Sequence, residues 1–237
     1  HARWWDQATN DLTEVTFTPI GSDSTRLAAL LSGGVDLINP VPEQAAAQVG
    51  ANPAFRVVRG ARPAVMFLGI NQSGDHPFHD LRVRQAMAHL VDRETMNRTM
   101  MFGLYFLHRS YFEDLYSRDS PCPNPFYTFD VPRAKSLLRE AGYTPNPQTG
   151  ILEKGGRALA FKFLTRDGSS EKFLALMNTS LREVGIAMTI ERKDFAAWMR
   201  DMDAYNYDMT WASWGGIIFR DPEDMWHSRE ADRPSGN

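Results

Sequence analysis

Apolar and polar residues follow recognisable periods along most of the chain. A period of two predicts a strand, and a period near 3.6 predicts a helix. In the first part of the chain, strands are predicted over residues 12–20, 35–38, 55–59 and 64–71. Helices are predicted over residues 24–31, between N-cap residues and Gly33–Gly34, and over residues 42–50. Residues 12–38 therefore read as a strand–helix–strand unit, which builds a parallel sheet through a right-handed crossover.

The period changes to helical at Asp80, where Val83, Ala86, Met87 and Leu90 fall on one face. Further helices are predicted over residues 94–101, 130–141, 170–184 and 194–202, and strands over residues 159–165, 186–191 and 207–213. Residues 104–129 are expected to form a long ordered loop, and residues 146–156 a hairpin. Two sheet-forming regions divided near Ser73 predict an α/β fold.

The composition is that of a globular protein, with 43% hydrophobic and 23% charged residues among 237. The net charge is −3 and no basic run is present, which argues against a nucleic-acid partner. A single cysteine excludes an internal disulfide, and the apolar stretches are too short to cross a bilayer. Because His1–Trp5 and Arg233–Asn237 resemble the interior of a protein, we expect an internal segment of a longer chain.

Four segments, in order, resemble motifs of the family 5 extracellular solute-binding proteins. They are residues 26–36 (R-x-x-A-L-x-x-G-x-x-D), 77–86 (P-F-x-D-x-R-V-R-Q-A), 134–143 (A-K-x-L-L-x-E-A-G-Y) and 181–190 (L-x-x-x-G-I-x-x-x-I). Later segments, among them residues 208–211 and 221–228, resemble the YejA-type branch of peptide and peptide-antibiotic binders. The resemblance covers almost the whole chain.

This resemblance implies an α/β fold of the periplasmic-binding-protein type (type II, cluster C), in which two lobes close over a ligand. Residues 1–72 would belong to an incomplete lobe I, and residues 73–237 to a largely present lobe II. The implied protein is the capture subunit of an ABC importer for peptides or peptide-like compounds. It would be a periplasmic or extracellular monomer that works with permease subunits, needs no cofactor or metal, and is not an enzyme.

The segment from Trp211 to Trp226 is the leading candidate for ligand contact, because aromatic residues provide apolar walls with few rotatable bonds. Trp211 and Trp214 are the first candidates, although both also fit the core at the end of a strand. In much of the family, an aspartate three residues after such a tryptophan pairs with the amino terminus of the ligand. Here that position is Ile217.

Three acidic residues further along are the candidates to take the place of the missing aspartate, namely Asp221, Glu223 and Asp224. The alternative is that they cap a loop or lie in a solvated turn, or that the ligand amine is not bound in this way.

Three more candidates come from residue chemistry. Arg84 has a guanidinium that suits carboxylate binding, although it and Arg82 also fit ion pairs with Asp80 or Asp92 that flank a core helix. Tyr111 and Phe112 lie in the long loop, where they either line the cleft or anchor the loop.

Other functional classes find less support. Cys122 lies between two prolines, with no helix N-terminus to lower the pKa of its thiol, and the six histidines show no metal-ligand spacing. The glycine pairs lack the phosphate-loop pattern. A ligand-sensing domain of a regulator, or a binder of oligosaccharides or metal chelates, stays open as an alternative.

Overall fold

The computed structural model describes residues 12–60, 64–72, 75–110, 125–166, 168, 170–215, 223 and 227–230. The chain divides into two compact units, His1–Val58 and Arg59–Asn237. This division lies before the expected lobe boundary at residues 72 and 73, and the assignment of residues to lobes stays a prediction.

The first unit contains helices α1 (Asp23–Leu31) and α2 (Ala46–Ala51), with a 3-10 turn at Glu43–Ala45. Ser22 caps α1, since its hydroxyl accepts a hydrogen bond from the backbone N–H of Thr25. Leu30, Ala45 and Val49 form a small buried core. Both predicted helices are confirmed.

The strands predicted over residues 12–20, 35–38 and 55–59 are wrong, because these residues are not in strands. The first strand–helix–strand unit is wrong with them. A strand requires a partner that accepts and donates its main-chain hydrogen bonds, and none of the described residues supplies one to these segments.

The second unit is built on a four-stranded sheet with the order β1-β7-β5-β6. Its strands are β1 (Ala64–Ile70), β5 (Ala160–Thr165), β6 (Ala187–Arg192) and β7 (Met209–Gly215). β5 runs parallel to β6 and β7, whereas β1 is antiparallel to β7. A small antiparallel sheet contains β2 (Thr144–Pro145), β3 (Leu152–Lys154) and β4 (Arg157–Ala158), so the predicted hairpin is confirmed.

Five helices lie in the described residues of the second unit: α3 (Leu81–Leu90), α4 (Arg93–Met100), α5 (Val131–Glu140), α6 (Glu171–Glu183) and α7 (Phe195–Asp203). The side chains of Asp80, Asp92, Asp130 and Asp194 accept hydrogen bonds from the first turns of α3, α4, α5 and α7. All five helices, and β5, β6 and β7, are where the sequence predicts them.

The main core lies on one face of the sheet, which we call the inner face. Helices α3, α5 and α6 pack there, and the predicted stripe of α3 is buried. Because side chains alternate along a strand, Phe161 and Phe163 of β5 point into this core together with Met209 of β7. The opposite, outer face carries α7, whose residues are nowhere fully buried.

Asn71 and Asp208 fix the point where β1 ends and β7 begins. The buried side-chain amide of Asn71 donates to the carbonyl oxygens of Tyr205 (2.9 Å) and Tyr207 (2.7 Å). The carboxylate of Asp208 accepts a bond from the backbone N–H of Lys162 (2.6 Å) and lies 3.2 Å from Nδ1 of His76. These contacts hold the pairing of β1 with β7 in register.

Candidate functional site

The two candidate tryptophans of β7 lie on opposite faces of the sheet. Trp211 shares the inner face with Met209 and packs against the core, where its ring stacks on Phe173 at 5.7 Å between centroids. Trp214, three positions further, points to the outer face. Both rings are partly exposed, but Trp211 stabilises the junction of β7 with α6, whereas Trp214 lies on the face away from this core.

Trp214 forms a stacked pair with Phe67 of β1. The ring centroids are 5.9 Å apart and the planes differ by 15°. Register explains the pair, since Phe67 lies opposite Ala212, two residues before Trp214 and on the same face. Both rings are partly exposed on the outer face.

A second aromatic pair lies on the same face of the sheet. Phe195 and Trp198, three residues apart on α7, stack with centroids 6.1 Å apart. The guanidinium carbon of Arg166, just after β5, lies 5.7 Å from the ring centre of Phe195 and 5.6 Å from that of Trp198. Phe195 is 59% exposed.

The two pairs are connected across Thr210 of β7 and Gly69 of β1. The indole N–H of Trp198 donates to the hydroxyl of Thr210 (3.2 Å). A Cβ atom at Gly69 would lie 3.3 Å from Cγ2 of Thr210 and 4.0 Å from the ring of Phe67. We call the surface formed by Phe67, Trp214, Phe195, Trp198 and Arg166 the outer aromatic surface.

Four of these five residues were missed by sequence reasoning. Phe195 and Trp198 carried a signal, namely two aromatic residues one turn apart on a capped helix. Phe67 carried none, because only the register of β1 against β7 shows which of its residues share a face with Trp214.

The strand beside this surface has a partly open edge. β5 pairs with β7 only at Met209 and Thr210, whereas β1 pairs with all seven residues of β7. Among the described residues, Trp211–Ser213 form no strand pairing on the side away from β1. An edge of this kind offers main-chain N–H and C=O groups to an extended peptide.

Charged residues attach α7 to the sheet next to the outer aromatic surface. Lys193 is paired with Asp201 and, at 2.9 Å, with Glu191, which also binds Lys162 at 3.1 Å. The hydrogen bond from Lys193 lowers the pKa of Asp201, and hydrogen bonds from Lys193 and Lys162 lower the pKa of Glu191. The side-chain hydrogen bond to Asp201 raises the pKa of Lys193. Lys193, Asp201 and Glu191 are therefore charged at neutral pH, and their ion pairs fix the position of α7.

Arg84 lies on α3, on the inner side of the sheet. Its Nη1 donates to the carbonyl oxygens of Phe78 (2.7 Å) and His79 (3.0 Å), which are in the turn before the helix. The expected ion pair is made by Arg82, whose guanidinium binds both carboxylate oxygens of Asp80 at 2.9 and 2.7 Å. A ligand contact by Arg84 stays a prediction.

The remaining candidates are placed as follows. Glu223 forms an ion pair with Arg229, and its ligand contact stays a prediction. Tyr111, Phe112, Asp221 and Asp224 lie outside the described residues, as does Cys122.

An open depression of about 320 Å³ lies elsewhere on the unit. Residues of α4 and of the loop after it line this depression, including Glu94, Arg98 and Phe102. α4 packs against α6, on the inner side of the sheet. The depression and the outer aromatic surface are thus separate features, and the stacked rings and strand edge make the second the better candidate for a ligand.

The described residues also bear on two other kinds of feature, a metal site and a membrane-spanning helix. No three His, Cys, Asp or Glu side chains come together in an arrangement that suits a metal ion. Of the helices in the described ranges, none has the length and apolar character needed to cross a membrane.

Comparison with known proteins gives a consistent result. The family model described as bacterial extracellular solute-binding proteins, family 5 Middle, matches residues 1–235. The oligopeptide-binding protein AppA of Bacillus subtilis is 25% identical over 227 residues, which cover 92% of this chain and 41% of AppA. The periplasmic murein peptide-binding protein MppA of Escherichia coli is 23% identical over 221 residues, covering 91% of this chain and 39% of MppA.

Solved structures show the same fold. AppA of Bacillus subtilis in complex with a nonapeptide superposes with a TM-score of 0.76 at 24% identity, covering 89% of this chain and 42% of that one. NikA of Brucella suis in complex with Fe(III)-EDTA gives a TM-score of 0.72 at 25% identity, covering 83% of this chain and 41% of that one. The chain thus spans about two fifths of the length of these relatives, and the predicted α/β fold of the periplasmic-binding-protein type is confirmed.

Proposed function

The chain belongs to the bacterial extracellular solute-binding proteins of family 5, and on that premise we propose that its protein captures a peptide or peptide-like solute for an ABC importer. The protein works outside the cytoplasmic membrane and hands its cargo to permease subunits. Its action is reversible binding without a covalent step, and it acts as a monomer.

The observation that carries this proposal is the outer aromatic surface next to the open edge of β7. An extended peptide placed along Trp211–Ser213 would pair with the main chain of β7, whatever its sequence. Its alternate side chains would then reach the rings of Phe67 and Trp214 on one face. Backbone pairing supports affinity for many peptides, and the rings favour apolar or aromatic side chains.

Two relatives support a peptide as the first candidate solute. AppA is an oligopeptide-binding protein and MppA is a murein peptide-binding protein. We further propose that residues 1–72 and 73–237 contribute to different lobes, and that the solute is held when the lobes close. Closure of this kind is a population shift, driven by contacts that exist only in the closed form.

A metal chelate is the second candidate solute. NikA of Brucella suis was solved with Fe(III)-EDTA, and a chelate of this type carries carboxylate groups. Arg166, whose guanidinium lies against two aromatic rings, provides a positive charge on the outer aromatic surface.

The test is calorimetric titration of the full-length protein with three kinds of solute: a mixed library of short peptides, a nickel–histidine chelate and an oligosaccharide mixture. Peptide binding is expected, with a negative heat-capacity change from the buried apolar surface. Heat from the chelate or the sugars, with none from peptides, would reassign the solute. Hydrolysis of an added peptide would contradict a purely binding role.

A further inference from the structure

We infer that Thr210 is a positioning residue of the solute site, because it fixes the indole of Trp198 and thereby makes the site prefer solutes with an aromatic side chain. This inference rests on the proposed function of the outer aromatic surface. Thr210 does not contact the solute, since it is fully buried.

The hydroxyl of Thr210 uses both of its hydrogen-bonding capacities inside the protein. It donates to the carbonyl oxygen of Leu164 on the neighbouring strand at 2.8 Å. It accepts the indole N–H of Trp198 at 3.2 Å. The bond to Leu164 orients the Thr210 hydroxyl and thus the direction of its lone pairs. The bond from Trp198 holds the N–H edge of the indole in that direction.

The methyl group of Thr210 further restricts the χ1 rotation of this side chain. It faces Gly69, where a Cβ atom would lie only 3.3 Å from Cγ2 of Thr210. A β-branched side chain has few allowed χ1 rotamers. In the rotamer of Thr210, the hydroxyl bonds to the Leu164 carbonyl and to the indole of Trp198, and the methyl group fits above Gly69. Thr210 therefore acts as a rigid support beneath Trp198.

The consequence for binding follows from the use of the indole N–H. Because Thr210 engages this donor, the exposed part of Trp198 offers ring surface and not a hydrogen bond. Phe195 stacks on it with planes 20° apart, so two nearly parallel rings are presented together on the outer face. Planar apolar groups stack on such rings, and a phenylalanine, tyrosine or tryptophan side chain of the solute has the required shape.

The experiment compares two peptides in the full-length protein that differ only in one residue, phenylalanine or alanine. Thr210→Val keeps the shape of the side chain and removes the hydroxyl, whereas Thr210→Ser keeps the hydroxyl. We expect the wild type and Thr210→Ser to bind the phenylalanine peptide about tenfold more tightly than the alanine peptide. In Thr210→Val this preference should fall to about twofold or less, with little change for the alanine peptide.

A spectroscopic readout separates positioning from general stability. The indole N–H signal of Trp198, identified by its loss in Trp198→Phe, should shift in Thr210→Val and stay in place in Thr210→Ser. If Thr210→Val does not fold, Trp198→Phe alone carries the test, because it keeps a ring but has no N–H for Thr210 to hold, and it should lose the same preference.

The outcomes distinguish the two proposals. If the wild type binds none of the peptides, the proposed function is overturned and this inference with it. If the wild type binds peptides with an aromatic preference that Thr210→Val or Trp198→Phe retains, only the inference on Thr210 is overturned.

Discussion

At the scale of residues, neighbouring side chains of the same type have different roles because the sheet separates them. Trp211 and Trp214 are three positions apart on β7, an odd number, so they point to opposite faces. Trp211 stacks on Phe173 at the margin of the core, and Trp214 stacks on Phe67 on the outer face.

Substitution of these tryptophans should therefore have opposite effects. Trp214→Ala is expected to weaken peptide binding about tenfold, because a contact ring is lost, and to change the free energy of unfolding by less than about 1 kcal/mol. Trp211→Ala should leave binding within about twofold and reduce stability by roughly 2–4 kcal/mol, since it opens a cavity beside Phe173. Calorimetric titration and urea unfolding of the full-length protein measure both. A reversed pattern would show that the inner face binds the solute.

Asn71 is a second residue whose substitution should have a specific effect on stability. Asn71→Ala should destabilise the protein by about 2 kcal/mol, because two main-chain carbonyls, those of Tyr205 and Tyr207, lose their donor in a buried place. Asn206→Ala is the matched control, as this exposed amide binds only the surface carboxylate of Asp201 among the described contacts, and it should change stability by less than about 0.5 kcal/mol. Urea unfolding compares the two, and equal losses would contradict the role given to Asn71.

At the scale of elements, capping aspartates decide where the helices begin. Asp80 is the clearest case, because it accepts the backbone N–H of Arg82 and binds the guanidinium of the same residue. The side-chain hydrogen bond from Arg82 lowers the pKa of this carboxyl below its usual value of 3.8. The charged carboxylate thus stabilises the start of α3 and the fold of the unit.

The pH dependence of this contribution has a definite sign. A lowered pKa in the folded state means that the stabilisation is complete above the pKa of the unfolded chain and is lost as the pH falls through the folded value. Asp80→Ala should cost about 1–2 kcal/mol at pH 7, and the difference from wild type should shrink below about pH 4. Asp80→Asn keeps a capping oxygen without the charge and should cost less. Urea titrations at several pH values measure this, and a pH-independent difference would contradict it.

At the scale of the whole molecule, the two compact units differ in how well they cover their apolar residues. The second unit has a continuous core under α3, α5 and α6, whereas the described part of the first has a core cluster of three buried residues. Large apolar side chains are exposed before α1, notably Leu12 (66%), Val15 (59%) and Phe17 (90%). Exposed apolar residues in succession favour association.

We therefore expect the 237-residue chain, expressed by itself, to associate in solution. A variant with Leu12→Ser, Val15→Thr and Phe17→Ser should associate less, because the exposed apolar area is smaller. Size-exclusion chromatography with light scattering measures the mass of both. A monomeric, cooperatively melting wild-type chain would contradict the expectation.

The sequence alone predicted the elements whose stability is local. Several helices have a capping side chain and an apolar stripe of their own, as in the segment from Asp130 to Gly142, and the motif resemblance identified the family that the comparisons confirmed. The strands predicted at residues 12–20, 35–38 and 55–59 were wrong, because the local pattern favoured strands but none of the described residues pairs with these segments.

Only the tertiary structure decided which residues share a face. The sequence proposed Trp211 and Trp214 together, but the pairing of β7 with β1 and β5 placed Trp211 against the core and Trp214 beside Phe67. It also brought Phe195 and Trp198 of α7 onto the same face. Strand register and the packing of a helix on a sheet are long-range properties, because they depend on contacts between residues far apart in the chain. The local sequence therefore predicts helices that carry their own caps, while strand pairing and the outer aromatic surface exist only once the sheet has formed.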